Sequence, residues 1–140
     1  QGLQVEYDVS LPAALKLSGL QLSFLLPTAR YGGQALLVAQ PDGDPLTITM
    51  PAEARVQSPQ VWAGEAARVE LAKGTPSAMA IEMRASTDVM IQDLRQWKHD
   101  TFEVRFPAIS EDGGREVTPD DHFHLDLTIK LASPVMLIRG

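Results

Sequence analysis

Phe123-His124-Leu125-Asp126-Leu127-Thr128-Ile129-Lys130-Leu131 alternates apolar and polar side chains without a break. Successive side chains of a strand point to opposite faces, so one face of this segment is wholly apolar and the other wholly polar. A strand of this kind needs a second sheet or a helix over its apolar face. Working outward, the same period returns. Leu3, Val5, Tyr7, Val9 and Leu11 alternate with Gln4, Glu6, Asp8 and Ser10 as far as Pro12. Leu20, Leu22, Phe24 and Leu26 follow between Gly19 and Pro27, and the neighbouring Leu25 points to burial on both faces. Residues 35–39 form a short apolar run, closed by Pro41-Asp42-Gly43-Asp44-Pro45, the strongest turn signal in the chain. Leu46, Ile48 and Met50 alternate with Thr47 and Thr49. Met79, Ile81 and Met83 alternate with Ala80, Glu82 and Arg84 over residues 78–85, and Phe102, Val104 and Phe106 do so again before Pro107.

Other segments read differently. Residues 52–64 hold Pro59, Trp62 and few apolar groups, which predicts an irregular segment with Trp62 plugging a sheet edge. Residues 66–71 read as a strand through Ala67, Val69 and Leu71, with a short helix over 64–72 as the competing assignment because Ala and Glu favour helix. Across residues 87–100 the period changes. Met90, Ile91, Leu94 and Trp97 recur at three- and four-residue spacing, with Ser86 or Thr87 available as N-cap, and this predicts one helix. Tyr31-Gly32-Gly33, Glu111-Asp112-Gly113-Gly114 and Pro119-Asp120-Asp121 carry turn chemistry. Pro134 sets off a last apolar piece, residues 135–138. The result is an all-β chain: an antiparallel β-sandwich or flattened barrel of about eight short strands with one short helix. A single domain over residues 1–140 is expected, since no linker or repeat divides it.

A chain of 140 residues can bury a core without metals or disulfides. Its 12 basic and 18 acidic residues give a net charge of −6 with no basic run, which disfavours nucleic acid and a polybasic membrane contact. No apolar run approaches the ~20 residues of a spanning helix. Cysteine is absent, which removes thiol catalysis, disulfides and Cys-based zinc sites. The chain starts at Gln1 rather than Met, so an upstream signal peptide, lipidation region or cloned tag is expected to have been removed, and export is preferred.

The search for chemistry returns little. His122, His124 and Asp126 fall on one strand face, where two imidazoles and a carboxylate can share a metal. Such a site also needs a ligand from elsewhere, so the solvated face of an amphipathic strand is the stronger reading, and neither metal nor cofactor is expected. The carboxylate pairs Glu111/Asp112 and Asp120/Asp121 sit in polar turns, whereas a general acid needs burial to raise its pKa. His99 and Asp100 have no nucleophile to serve. No phosphate-binding glycine loop or nucleophile elbow is present. The chain therefore reads as a non-enzyme. Met79, Met83 and Met90, with Trp62 and Trp97, are candidates for a groove that takes a peptide, since Met adapts and Trp anchors; core packing is the plainer reading. Edge strands offer a second route, by accepting an added strand.

Two stretches carry a resemblance. Gln4-Val5-Glu6-Tyr7-Asp8-Val9-Ser10-Leu11-Pro12-Ala13, followed by Leu20-Gln21-Leu22, is similar to the opening of the small exported lipoproteins called type III secretion pilotins. Ser133-Pro134-Val135-Met136-Leu137-Ile138-Arg139-Gly140 resembles a closing edge strand of such a protein. The resemblance implies a non-catalytic periplasmic chaperone. It would bind the C-terminal segment of a secretin subunit and aid its outer-membrane targeting and ring assembly, with anchorage only through an upstream lipid. The competing expectation is a structural or adhesive β-sandwich component of a surface or phage assembly, self-associating through edge strands.

Overall fold

The computed structural model describes residues 2–54 and 58–132. Eight strands account for most of it: β1 (Gly2–Ser10), β2 (Leu15–Pro27), β3 (Ala35–Ala39), β4 (Leu46–Thr49), β5 (Gln60–Leu71), β6 (Met79–Asp93), β7 (Thr101–Val117) and β8 (His122–Leu131). A four-residue helix, α1 (Thr28–Tyr31), and a 3-10 turn (Leu94–Trp97) complete the regular structure. Every ladder between these strands is antiparallel. The fold is all-β and sandwich-like, as the period-two pattern requires.

β8, the alternating segment from which the sequence reading began, lies between β1 and β6: Leu127 is paired with Val5 on one side and Met83 on the other. The order β1-β8-β6-β5-β3-β4 forms one layer. A second layer is built by β2 and β7, which join the C-terminal part of β6 through Met90↔Arg105 to Asp93↔Phe102. The β5–β6 hairpin belongs to both layers and turns the corner between them, the usual device of crossed sheets. At that corner the β5–β6 register jumps from Ala66↔Thr87 to Arg68↔Glu82. Ala67 alone therefore stands opposite residues 83–86, a larger irregularity than a simple bulge, and it bends the strand.

The inner faces meet in one core. Leu36, Met50, Ile91, Phe102 and Val104 are sealed from solvent, and Val69, Ile81, Val89 and Leu127 nearly so. Burying each such side chain stabilises the fold by about 1.5–3 kcal/mol. The outer face of the first layer is polar, laced by Arg68 with Glu70 and Glu82, Lys130 with Glu82, and Arg84 with Asp126.

The helix expected over residues 87–100 is not there. β6 runs on to Asp93, because Ile91 is laddered on both sides, to Trp62 and Val104, and two flanking strands override a local period. Only Leu94–Trp97 turns, and Asp93 rather than Ser86 or Thr87 caps it, accepting from the Arg95 amide. Part of the segment read as irregular, from Gln60 onward, is the first half of β5. Glu111-Asp112-Gly113-Gly114 does not end a strand: it lies inside β7, where the ladder jumps from Leu17↔Arg115 to Gly19↔Ser110. The turn chemistry is still expressed there, with Gly114 at φ +78. Leu25, expected to be buried on both faces, is 61% exposed. Several strands are also longer than expected, β7 reaching 17 residues. Residues 135–138 lie outside the described residues.

Candidate functional site: a cleft where β6 changes layers

One edge of β6 is used twice. β8 occupies it at residues 79–83 and β7 at residues 90–93. Between them, among the described residues, 84–89 have no strand partner on that edge, and 84–86 have none on either side. The cause is the change of layer. Beyond Arg105, β7 departs with β2, and β8 arrives with β1 and joins β6 only at Leu127. Backbone N–H and C=O groups are obligatory hydrogen-bonding groups, so this stretch presents them to solvent or to a visiting chain.

The departing walls enclose a cleft. One cavity of about 250 Å³ is lined by Thr87, Phe106, Pro107, His122, Phe123 and Leu125. A second, of about 350 Å³, shares Thr87, His124 and Leu125 with it and extends past Arg84, Ser86 and Asp126. Phe106 forms a buried floor, fixed by an edge-to-face contact with Phe24 at 6.0 Å between centroids. Phe123 and Leu125 are half-buried. The Arg115 guanidinium stands 5.8 Å from the Phe123 ring centroid and 3.9 Å from Asp121, which ties the β7–β8 connection over that ring. At the rim, Asp126 accepts from Gln4 Nε2 at 3.3 Å and from Arg84 at 3.4 Å. The Arg84 side chain is otherwise in solvent, 82% exposed. A hollow of mixed polar and apolar lining, floored by Phe106, beside unpaired strand backbone can seat one or two side chains while their own backbone completes the ladder.

His122, His124 and Asp126 lie on the outer face of β8 opposite Ser10, Asp8 and Glu6. Among the described residues, no group of three or more His, Cys, Asp or Glu side chains is placed to hold a metal ion. Glu82, on the same outer face, has its carboxyl held below the ordinary range, first by the hydrogen bond from Lys130. Burial pushes the Tyr31 phenol up, and its hydroxyl donates to the Ser77 carbonyl at 2.9 Å. Both groups work in ties within the fold; Tyr31 lies away from the cleft, and Glu82 adjoins its rim at Arg84 and Asp126.

The five residues chosen from sequence are not gathered into one groove. Met83 is buried in the core and Met79 is half-buried against it. Trp62 packs on the core from β5, its ring over Gly64, where an added Cβ would meet Trp62 Cζ2 at 2.7 Å. Met90 is on the opposite face of β6 from Ile91, and its sulfur accepts from Gln92 Nε2 at 2.8 Å. Trp97 is 51% exposed on the 3-10 turn. None of them lines the cleft. Two signals in the sequence did mark it. Pro107, which cannot donate to a ladder, stands where β7 parts from β6. The strand pattern of 78–85 and the helical spacing from 87 also collide at the crossover itself.

No helix among the described residues is long and apolar enough to cross a membrane. No protein-family model matches this chain, and no curated protein matches it.

Proposed function

We propose that this chain is a non-catalytic binding module that receives an extended segment of another protein in the cleft between β7 and β8. The guest's backbone ladders onto residues 84–89 of β6, and an apolar side chain enters the hollow over Phe106. The observation that carries this reading is the unpartnered middle of β6 beside that hollow. The pilotin resemblance of the first and last segments supplies the guest: the C-terminal segment of a secretin subunit, escorted through the periplasm to the outer membrane for ring assembly in type III secretion.

Calorimetric titration with synthetic secretin C-terminal peptides tests it. Ala108 is exposed and lines the cleft, so Ala108→Trp fills the mouth without touching the core. Saturable binding by the native chain, weakened at least about tenfold by Ala108→Trp, is expected, which is ~1.4 kcal/mol of binding free energy. No binding to any such peptide, or equal affinity in both proteins, would refute the reading.

A further inference from the structure

The opening on β6 is a slot stopped at both ends. β7 holds the edge from Met90 onward and β8 holds it up to Met83, so a guest pairing with residues 84–89 has room for about six extended residues. Both stops run antiparallel to β6. A guest in the same direction starts beside Val89 and finishes beside Arg84, where the next place on the edge belongs to Leu127. A through-going chain must bend off the sheet at both ends of the slot, whereas a chain that finishes there bends once. The two ends also differ in charge. Beside Val89 stand Asp88 and its ladder partner Glu65, both exposed. At the other end stands Arg84, 82% exposed, which lines the larger cavity. Among the described residues its ion pair is with Asp126, made through Nη1 at 3.4 Å. The carboxylates around it have other donors: Gln4 Nε2 for Asp126, and Lys130 and Arg68 for Glu82.

Resting on the cleft reading, we infer that the guest is the free end of a chain, laid antiparallel to β6, with its terminal carboxylate on the Arg84 guanidinium. A guanidinium carries five N–H donors in a fork that matches a carboxylate, so the donors not used on Asp126 take a second one. Residues 84–86, laddered on neither side among the described residues, offer backbone N–H groups at the same end. The reverse direction would set the carboxylate against Asp88 and Glu65, where like charges repel. A side-chain carboxylate also matches the charge of Arg84, but the chain carrying it runs on into the place held by β8. A terminus answers both the cation and the closed end. Arg84 is thereby the residue that selects a chain end over an internal strand.

Calorimetric titration with one synthetic secretin C-terminal peptide in three forms tests this: the free acid, the C-terminal amide, and the same sequence carrying a short Gly-Ser tail beyond its end. The native chain should bind the free acid about tenfold more tightly than either other form. Arg84→Ala should erase that preference, and Arg84→Lys should keep part of it. Ala108→Trp, which fills the mouth and leaves Arg84 in place, should weaken all three forms together. Three results would overturn the assignment of the chain end to Arg84: equal affinity for acid and amide, a preference for the acid that survives Arg84→Ala, or uniform weakening of all forms by Arg84→Ala. So would a dependence on an internal Asp or Glu of the peptide in place of its terminus. In each of these cases the response to Ala108→Trp still supports the cleft; binding of none of the three forms would remove both readings.

Discussion

At its C-terminal end β6 is bound in on all sides; at its middle it is not. Asp93 is 1% exposed and accepts from the Arg95 backbone at 3.0 Å, from Nε at 2.9 Å and from Nη2 at 2.7 Å. The same guanidinium donates to the carbonyls of Ala52 and Pro51 at 3.0 Å and stands 5.3 Å from the Phe102 ring centroid. A loop, a strand end and a turn are thereby held by one ion pair. A few residues earlier, 84–89 lack a partner on one edge and 84–86 on both. One strand thus supplies both an anchor and an opening, and substitutions in the two places should have opposite signatures: lost stability in the first, lost binding with little change in stability in the second.

The largest effect belongs to the anchor. Asp93→Ala leaves the Arg95 guanidinium, 14% exposed, without its carboxylate, and should destabilise the fold by about 3–5 kcal/mol in denaturant unfolding. A loss below about 1 kcal/mol would erase the contrast between the two regions. Next is Gly64, paired with Val89 at the border of the opening. Gly64→Ala forces the Trp62 ring aside, at a cost of about 1–3 kcal/mol, with a red-shifted tryptophan emission as the ring leaves the core. Tyr31→Phe removes the tie to Ser77, just before β6 begins, and should cost about 1 kcal/mol. Because burial raises the Tyr31 pKa, its contribution is full below 10.0 and fades as pH rises through the higher folded value. The variant should lose that alkaline decline. Smallest are the changes beside the opening. Arg84→Ala, at an exposed ion pair, should move stability by less than about 1 kcal/mol. The lowered Glu82 pKa means its contribution is present above 4.5 and disappears as pH falls through the depressed folded value. Glu82→Gln should therefore flatten the acid limb of a pH–stability curve.

The layers were legible in the sequence wherever one face of a strand is buried. Residues 123–131 and 102–106 alternate because their inward side chains meet one core, and the structure uses them so. Legibility failed where the apolar spacing stops alternating and only partners distant in sequence decide the conformation. At Met90, Ile91 and Leu94 the spacing resembles a helix, but the ladder partners Trp62 and Val104 are distant in sequence and leave no local trace. Glu111 to Gly114 show the reverse: the turn chemistry is real, yet β2 continues alongside, and the chain bulges instead of ending. The cleft escaped notice for a related reason. The apolar part of its lining, Phe106, Phe123 and Leu125, is indistinguishable by period from core, and only the departure of β7 from β6 opens it. Met and Trp content pointed elsewhere, because those residues fill the core or lie on separate surfaces.

Hydrogen exchange across β6, free and with a saturating secretin C-terminal peptide, bears on both regions at once. The expected pattern is slow exchange at 90–93 in either state, with fast exchange in the free chain at those amides of 84–89 that face the opening, becoming slow when the peptide is present. Equal protection of both stretches in the free chain, or no change at 84–89 on addition of peptide, would contradict the binding of an extended segment at this strand.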